Sequence, residues 1–414
     1  MIKKTIKSSF IILFSSSFIA SPLLAEADHY KNILVGDKAA TMGGTYVGIS
    51  NDISGTYYNP AGIAYSNGTG VSASANVYHA QKTTYKGAIR NLDWNRSSAQ
   101  LLPNFFGLMK TWGDHTLAFS VVVPDSFVQH QDQVYLNLPA TSTQPSINRY
   151  VFNLHSQDES YLIGPSYAYK YSEKFSIGTT LSYFYRKSRM QSYQEIWLSG
   201  GETENSTVTT DWGENGIAPK IGFKWSPTEN FSAGLTLFHT FIFSSNFSSQ
   251  NTSKVRTSND PVFDEFSTKS KRGTGTQISL GVAYKVTDKW LIASDIDFNI
   301  APPTDAFFPY GYQGVVNYSF GTEYTISKRH AVRAGFFTNQ SNMNEPDNES
   351  SLITHINMYG VAAGYTYGMD STSITLGLIY SAGSGKAQVY EDIPNTISVT
   401  RYTLTGVLAT SYSF

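Results

Sequence analysis

Apolar and polar residues alternate with a period of two along most of this chain. In a clear stretch the apolar positions are Ile177, Leu181 and Tyr183, and Ser176 and Gly178 fall on the opposite face. Period two places successive side chains on opposite faces of a β-strand. The pattern therefore predicts an all-β protein, although a soluble sandwich would also show it.

Short and long connections alternate between the predicted strands. Tight turns are predicted near Gly113-Asp114, Ser172-Glu173, Pro227-Thr228, Thr287-Asp288, Ser327-Lys328 and Met369-Asp370. Longer polar loops are predicted at 81–97, 125–158, 188–210, 245–272, 300–312, 340–352 and 383–398. Six short and seven long connections in alternation give fourteen antiparallel strands with every long loop at one end. This arrangement is typical of a closed transmembrane β-barrel in a Gram-negative outer membrane, and a sandwich has no reason to adopt it.

Composition agrees with a barrel and excludes other classes. Charged residues make up 15% of the 414 residues, against about 25% in a soluble domain. Beyond the N-terminus no run of about 18 apolar residues occurs, so a helical membrane protein is not predicted. The net charge of −1 gives no reason to expect nucleic acid as a partner. The absence of cysteine excludes disulfides, thiolate metal sites and cysteine nucleophiles.

Residues 1–27 have the features of a signal peptide that is removed on export. Lys3 and Lys4 form a basic start, residues 10–20 are mostly apolar, and Ala25-Glu26-Ala27 has the small-x-small form of a cleavage site. Cleavage is expected after Ala27, with Ala25 as the alternative. A retained membrane anchor is disfavoured because the apolar stretch is short.

Residues 28–67 lack the alternation and are rich in glycine and turn residues. Eight-stranded barrels are filled by their own side chains, whereas about 16 to 18 strands leave an aqueous channel. Fourteen strands therefore call for a plug, and small residues allow a backbone to fold tightly in a confined space. The predicted organisation is a plug at 28–67 inside a barrel at 68–414.

Several motifs carry a resemblance to a known family. Gly43-Gly44, Asn51-Asp52 and Asn59-Pro60-Ala61-Gly62 follow one another within the predicted plug. Further matches stand at Gly321-Thr-Glu-Tyr324, Arg333-Ala-Gly335 and Gly364-Tyr-Thr-Tyr367. The chain resembles the FadL/TodX-type outer-membrane channels over nearly all of its mature length.

The resemblance implies passive uptake of hydrophobic compounds, with long-chain fatty acids as the first expectation and aromatic hydrocarbons in one branch. A ligand captured by the outer loops would enter a lumen pocket closed by the plug, or hatch, and leave sideways through a gap in the wall. The implied hatch and gate residues are Gly43, Gly44, Asn59, Pro60, Ala61 and Gly62. The gap should lie on the third strand, His115–Asp125, where Pro124 is the expected kink because no glycine interrupts that strand.

Three basic residues are candidates for orienting a fatty-acid carboxylate. By strand parity Arg186, Lys220 and Arg333 point into the lumen, and a cation there would form charge-assisted hydrogen bonds with a carboxylate. The alternative is that they pair with lumen acids such as Asp295 and Glu323.

Apolar residues in the predicted outer loops are candidates for ligand capture. They are Phe127, Tyr135 and Leu136 in the loop 125–158, and Phe307, Phe308 and Tyr310 in the loop 300–312. Equally, these loops would pack on one another as a lid.

The chain ends on Phe414, with Tyr412 two residues before it on the presumed lipid face. This ending resembles the C-terminal signal by which the barrel-assembly machinery recognises outer-membrane barrels. The expected partners are therefore hydrophobic small molecules, outer-membrane lipids and that machinery, and the barrel is expected to be a monomer.

No enzymatic motif is complete. Gln277-Ile-Ser-Leu-Gly281 lacks the first glycine of a nucleophile elbow, and Gly385-Lys386 lacks the remainder of a phosphate-binding loop. We therefore predict a transport protein without catalytic residues, metal or cofactor. The alternatives are a gated porin for polar solutes, a surface adhesin and a barrel enzyme.

Overall fold

A computed structural model describes residues 29–66, 68–141, 145–254, 260–304, 311–346, 353–388 and 396–414. The predicted signal peptide lies outside these ranges, as do Phe307, Phe308 and Tyr310. None of the helices in the described ranges has the length and apolarity needed to cross a membrane.

Sixteen strand segments form one continuous antiparallel sheet. They are β1 (Thr69–Ile89), β2 (Leu92–Trp112), β3 (His115–Leu138), β4 (Ile147–Ser172), β5 (Phe175–Leu198), β6 (Thr203–Trp225), β7 (Phe231–His239), β8 (Phe241–Lys254), β9 (Val262–Thr268), β10 (Thr276–Thr287), β11 (Trp290–Asn299), β12 (Val315–Ser327), β13 (His330–Asn339), β14 (Thr354–Gly368), β15 (Thr372–Ala387) and β16 (Ile397–Ser413). β7 and β8 both pair with β6 and make one wall strand, the seventh. β9 and β10 make the eighth, so sixteen segments build fourteen wall strands.

The sheet closes into a barrel because the first strand pairs with the last. The β1–β16 ladder runs from Gly70 opposite Ser413 to Tyr85 opposite Val399. All six predicted tight turns fall between consecutive segments at one end of the barrel. The prediction of a fourteen-stranded antiparallel barrel is confirmed.

The predicted long loops at 81–97, 125–158 and 188–210 are wrong, because most of these residues are strand. β3 continues to Leu138 and β4 begins at Ile147, and β1 and β2 meet at the two-residue turn Arg90-Asn91. β4 has 26 residues, whereas about 9–11 cross a bilayer. On the upper part of β4 the outer positions, such as Asn153 and His155, are polar, and Tyr150, Phe152 and Leu154 pack inside the barrel. The apolar outer face therefore ends while backbone pairing continues.

The outer wall carries an apolar band with tryptophans near the tight-turn end. Leu280 is 45% exposed and lies beside Leu235 and Ile296 on neighbouring strands. Trp112, Trp225 and Trp290 end or begin strands at the tight turns and are also exposed. An apolar band bordered by aromatic residues is the surface that a bilayer requires of a barrel.

The C-terminal residues continue the wall. The backbone N–H of Phe414 donates to the Thr69 carbonyl at 2.8 Å, and its ring packs edge-to-face on Tyr412 with centroids 4.7 Å apart. Both rings are exposed on the outer face. Their role as an insertion signal stays a prediction.

Replacing Leu280 with Arg should lower the free energy of unfolding in lipid by about 2–4 kcal/mol, because the guanidinium would face hydrocarbon. Thr207→Arg is the control, since Thr207 is exposed on the part of β6 far from the tight turns. Urea unfolding in vesicles measures both variants. Equal stability of L280R and the parent would contradict the assigned facing of β10.

Candidate functional site

Residues 29–66, the N-terminal segment, lie inside the barrel. The segment contains two four-residue helices, α1 (Lys38–Thr41) and α2 (Gly55–Tyr58), and a 3-10 helix at Pro60–Tyr65. The side chains of Met42 and Ile63 are fully buried. Helices this short are not stable alone, so contacts with the barrel wall must hold the segment in place.

Inward-facing glycines let the N-terminal segment approach the wall closely. They are Gly178, Gly222, Gly234, Gly281, Gly321, Gly335, Gly364 and Gly377, on eight strand segments. A Cβ at any of them would lie within 3 Å of an atom of the segment. These glycines also stand opposite one another on neighbouring strands, as Gly321 does Gly335 and Gly364 does Gly377. The sequence reading missed this ring, whose only signal is glycine at inward parity on successive strands.

Two acidic residues of β11 anchor the segment from the wall. Asp295 accepts hydrogen bonds from the backbone N–H groups of Tyr46 at 2.6 Å and Val47 at 2.9 Å. Asp297 forms an ion pair with Lys31 at 2.6 Å. Both carboxylates are buried, where such charge-assisted contacts are strong.

Arg333 belongs to a second anchor. Its guanidinium pairs with Glu323 at 2.6 Å and with Asp37 at 3.2 Å, and Lys38 also pairs with Glu323 at 2.6 Å. Burial raises the pKa of the Asp37 carboxyl above its usual range, and the Arg333 charge opposes that rise. Arg333 therefore holds the segment and has its charge compensated before any ligand arrives.

The Asn59-Pro60-Ala61-Gly62 motif fixes the segment to β5 and β6. The Asn59 amide donates to the Val47 carbonyl at 2.9 Å and to the Phe223 carbonyl at 3.1 Å, and its oxygen accepts from the Ala61 N–H at 3.1 Å. Pro60 begins the 3-10 helix. The Ala61 carbonyl accepts from the Ser176 hydroxyl at 2.8 Å.

The three glycines of the motifs each meet a steric requirement. Gly43 and Gly44 follow α1 with φ of 70° and 75°, a left-handed conformation that disfavours side chains. A Cβ on Gly62 would overlap Ser50. The predicted hatch and gate residues thus all lie at turns or close contacts of the segment.

A cavity of about 190 Å³ lies between the segment and the upper wall, lined partly by Tyr57, Phe184 and Phe238. Lys220 also lines it, with its Nζ 4.8 Å and 4.9 Å from the ring centres of Tyr57 and Phe238. Lys220 donates to the Tyr57 carbonyl, and no described carboxylate is within ion-pair distance of it. An engineered apolar cavity of about 150 Å³ holds one benzene, so this volume suits a single aromatic ring or part of an alkyl chain.

Arg186 lies outside this cavity and is fully engaged. It pairs with Asp158 and Glu214, at 3.1 Å to the latter, and its guanidinium stacks 4.5 Å from the ring centre of Trp212. Of the three predicted lumen cations, only Lys220 lines the cavity.

The wall is interrupted beside the cavity, between β2 and β3. Their ladder runs from the tight turn to Phe105 opposite Val122 and stops. The register of β3 against β4 shifts between Val122 and Asp125, the stretch that contains Pro124. Beyond it, residues 92–104 and 125–138 are all described and share no ladder pair. We call this interruption seam 1.

Polar side chains bridge seam 1. Gln100 donates to the Ser126 carbonyl at 3.2 Å, and the Gln129 oxygen accepts from Arg96 at 3.0 Å. Pro124 and Asp125 line the cavity, and the Asn32 amide of the N-terminal segment donates to Asp125 at 3.2 Å. Seam 1, the cavity and the segment therefore meet at one place.

The predicted capture residues of the first loop lie on strand β3. Phe127 is buried inside the barrel, with Arg96 5.4 Å from its ring centre. Tyr135 is half-buried and stacks on Tyr150 at 5.9 Å. Leu136 is 61% exposed. Packing as a lid fits Phe127 and Tyr135, and of these three residues Leu136 remains available for capture.

No family model matches the sequence, and no curated protein matches it. Several solved structures are similar to this one. The toluene transporter TodX of Pseudomonas putida is 14% identical, with 92% of this chain and 98% of that chain covered and a TM-score of 0.68.

Two further structures have the same architecture. The toluene transporter TbuX of Ralstonia pickettii is 13% identical over 92% of this chain and 99% of that chain, with a TM-score of 0.64. A FadL homologue of Pseudomonas aeruginosa is 11% identical over 93% of this chain and 100% of that one, also with a TM-score of 0.64. At these identities the likeness establishes the fold.

Gly335→Val should displace the N-terminal segment, because the new side chain would overlap the Met42 backbone. The variant is expected to insert and to conduct ions in planar bilayers, whereas the parent should not. Gly213→Val is the control, since no described atom lies within 4 Å of that position. A non-conducting G335V barrel would show that the segment does not close the lumen.

Proposed function

We propose that this chain is a FadL/TodX-type channel of the outer membrane that takes up hydrophobic compounds passively. Two independent observations support the assignment: the ordered motifs of the N-terminal segment, and a barrel architecture like that of channels named for toluene transport. Long-chain fatty acids are the first substrate class proposed, and small aromatic hydrocarbons are the second.

The contact between the cavity and seam 1 carries this proposal. A ligand in the cavity lies next to Pro124 and Asp125, where the β2–β3 ladder has ended. Sideways exit there would deliver it into the membrane rather than into water, where each exposed CH₂ costs about 0.8 kcal/mol. Movement down a concentration gradient then requires no energy source.

In this mechanism the N-terminal segment acts as the hatch. The glycine ring, Asp295 and Asn59 hold its backbone against the wall, which closes the straight path through the lumen. The contact between Asn32 and Asp125 joins the start of the hatch to the edge of seam 1. A shift of that start would therefore change access between the cavity and the seam.

Lys220 is the group proposed to orient a fatty-acid head group. It lies in the cavity among aromatic rings and has no carboxylate partner among the described residues. A bound carboxylate would compensate its buried charge, which is costly to leave unpaired. The alkyl chain would then extend from the cavity toward seam 1.

Bridging seam 1 should stop uptake. The chain has no cysteine, so Gln100→Cys with Ser126→Cys can be joined by a short bifunctional thiosulfonate reagent. Uptake of labelled oleate by cells should fall to background and return after reduction. Gln191→Cys with Thr209→Cys, on the intact β5–β6 ladder, is the control. Parental uptake through a verified bridge would exclude exit at seam 1.

Lys220→Met should weaken fatty-acid binding and leave toluene binding unchanged. A hydrogen bond to a charged group contributes roughly 1.5–3 kcal/mol, or about 10- to 100-fold in affinity. Titration calorimetry in detergent measures both ligands, and Lys187→Met, on the exposed outer face, is the control. Equal losses for oleate and toluene would contradict a head-group role.

A further inference from the structure

The wall has a second interruption, on the other side of the cavity. The β7–β10 ladder ends at His239 opposite Thr276, and the β8–β9 ladder begins at Phe247 opposite Thr268. Between them lie residues 240–246 and 269–275, all described, which share no ladder pair. We call this interruption seam 2.

Seam 2 opens because the eighth wall strand bends away from the seventh. The seventh keeps its pairing with β6, as Phe241 opposite Ile217 shows. The eighth strand instead contacts the residues that follow β11, because the Ile300 N–H donates to the Thr276 carbonyl at 2.8 Å. A Cβ on Gly273 would overlap the Pro303 carbonyl. The boundary between the seventh and eighth strands is therefore opened over this stretch.

An ion pair in the lumen holds the bent stretch. Arg272 Nε lies 2.8 Å from Glu214 Oε2, and the Glu214 side chain is fully buried and also pairs with Arg186. Arg272 also lies 5.9 Å from the ring centre of Phe184. Across the seam, the Thr274 hydroxyl donates to the Thr240 carbonyl at 2.7 Å.

An interruption of the ladder leaves backbone N–H and C=O groups without partners, which costs free energy in a bilayer. In hydrocarbon each unpaired backbone group costs several kcal/mol, so irregular backbone persists where it borders protein or a cavity. Seam 2 borders the cavity already described: Phe238, Thr240 and Thr274 line it from this side, as Pro124 does from seam 1.

The outer rim of seam 2 is apolar on the side of the seventh wall strand. Phe241 and Phe243 are 53% and 55% exposed, and the ring of Tyr183 lies 6.5 Å from that of Phe243. Seam 1, by contrast, is bridged by glutamine side chains. The seventh-strand side of this rim therefore suits uncharged apolar molecules dissolved in the lipid. The opposite side carries the exposed Lys269 and Lys271, and Arg272 beside them is compensated by Glu214.

We propose that seam 2 is a second lateral opening, through which uncharged apolar compounds pass between the outer leaflet and the cavity. The proposal rests on the proposed function for its transport role, but the opening itself can be detected without transport.

Photolabelling in lipid vesicles tests this opening. A phenyl diazirine of toluene size stays in the lipid until illuminated, and mass spectrometry then locates its adducts. Thr240→Cys with Thr274→Cys closes seam 2, Gln100→Cys with Ser126→Cys closes seam 1, and a four-cysteine variant closes both. Gln191→Cys with Thr209→Cys is again the control, and reduction reverses each bridge.

Labelling of Tyr57 and Phe238 should persist with either seam closed alone and be lost when both are closed. Loss of labelling on closing seam 1 alone would overturn the proposal, as would labelling that survives closure of both. If labelling follows the predicted pattern but cells take up neither oleate nor toluene, seam 2 stands as an opening and the proposed transport function fails.

Discussion

The structure depends on the close contact between the N-terminal segment and the inner face of the barrel. Eight strands can be filled by wall side chains and about 16 to 18 leave a channel. In the part of this fourteen-stranded barrel that holds the N-terminal segment, the backbone of that segment fills the lumen. That is possible only where the wall has no side chains, as at Gly281 and Gly335. Asp295 and Asn59 then satisfy backbone groups that would otherwise be buried without partners.

Because the N-terminal segment occupies the lumen, the two seams are the places where the cavity borders the outside of the wall. Closed barrels leave no sheet edge in the bilayer, yet this wall stops pairing next to Pro124 and again next to Thr240. Both places border one cavity of about 190 Å³. A cavity that lies against the N-terminal segment and is bordered by two lateral interruptions suits a cargo that prefers lipid to water.

The sequence was sufficient for the strand number and the tight turns, because each depends on local patterns. It was insufficient for strand length, since the outer faces of β3 and β4 become polar, as at Asp132 and His155, while pairing continues. Seam 2 was missed for a similar reason: residues 269–272 are polar and belong to the predicted loop 245–272. Strand parity gave the facing of both arginines, and the alternative of pairing with Glu323 holds for Arg333. The partners of Arg186, Asp158 and Glu214, are more distant in sequence and were missed.

The central claim is that the wild-type channel is closed to ions and open to apolar molecules. The most direct measurement is to record ion conductance and transport of a labelled hydrocarbon on the same reconstituted protein. The account predicts hydrocarbon transfer without steady conductance. Porin-like conductance, or a barrel that moves neither, would contradict it.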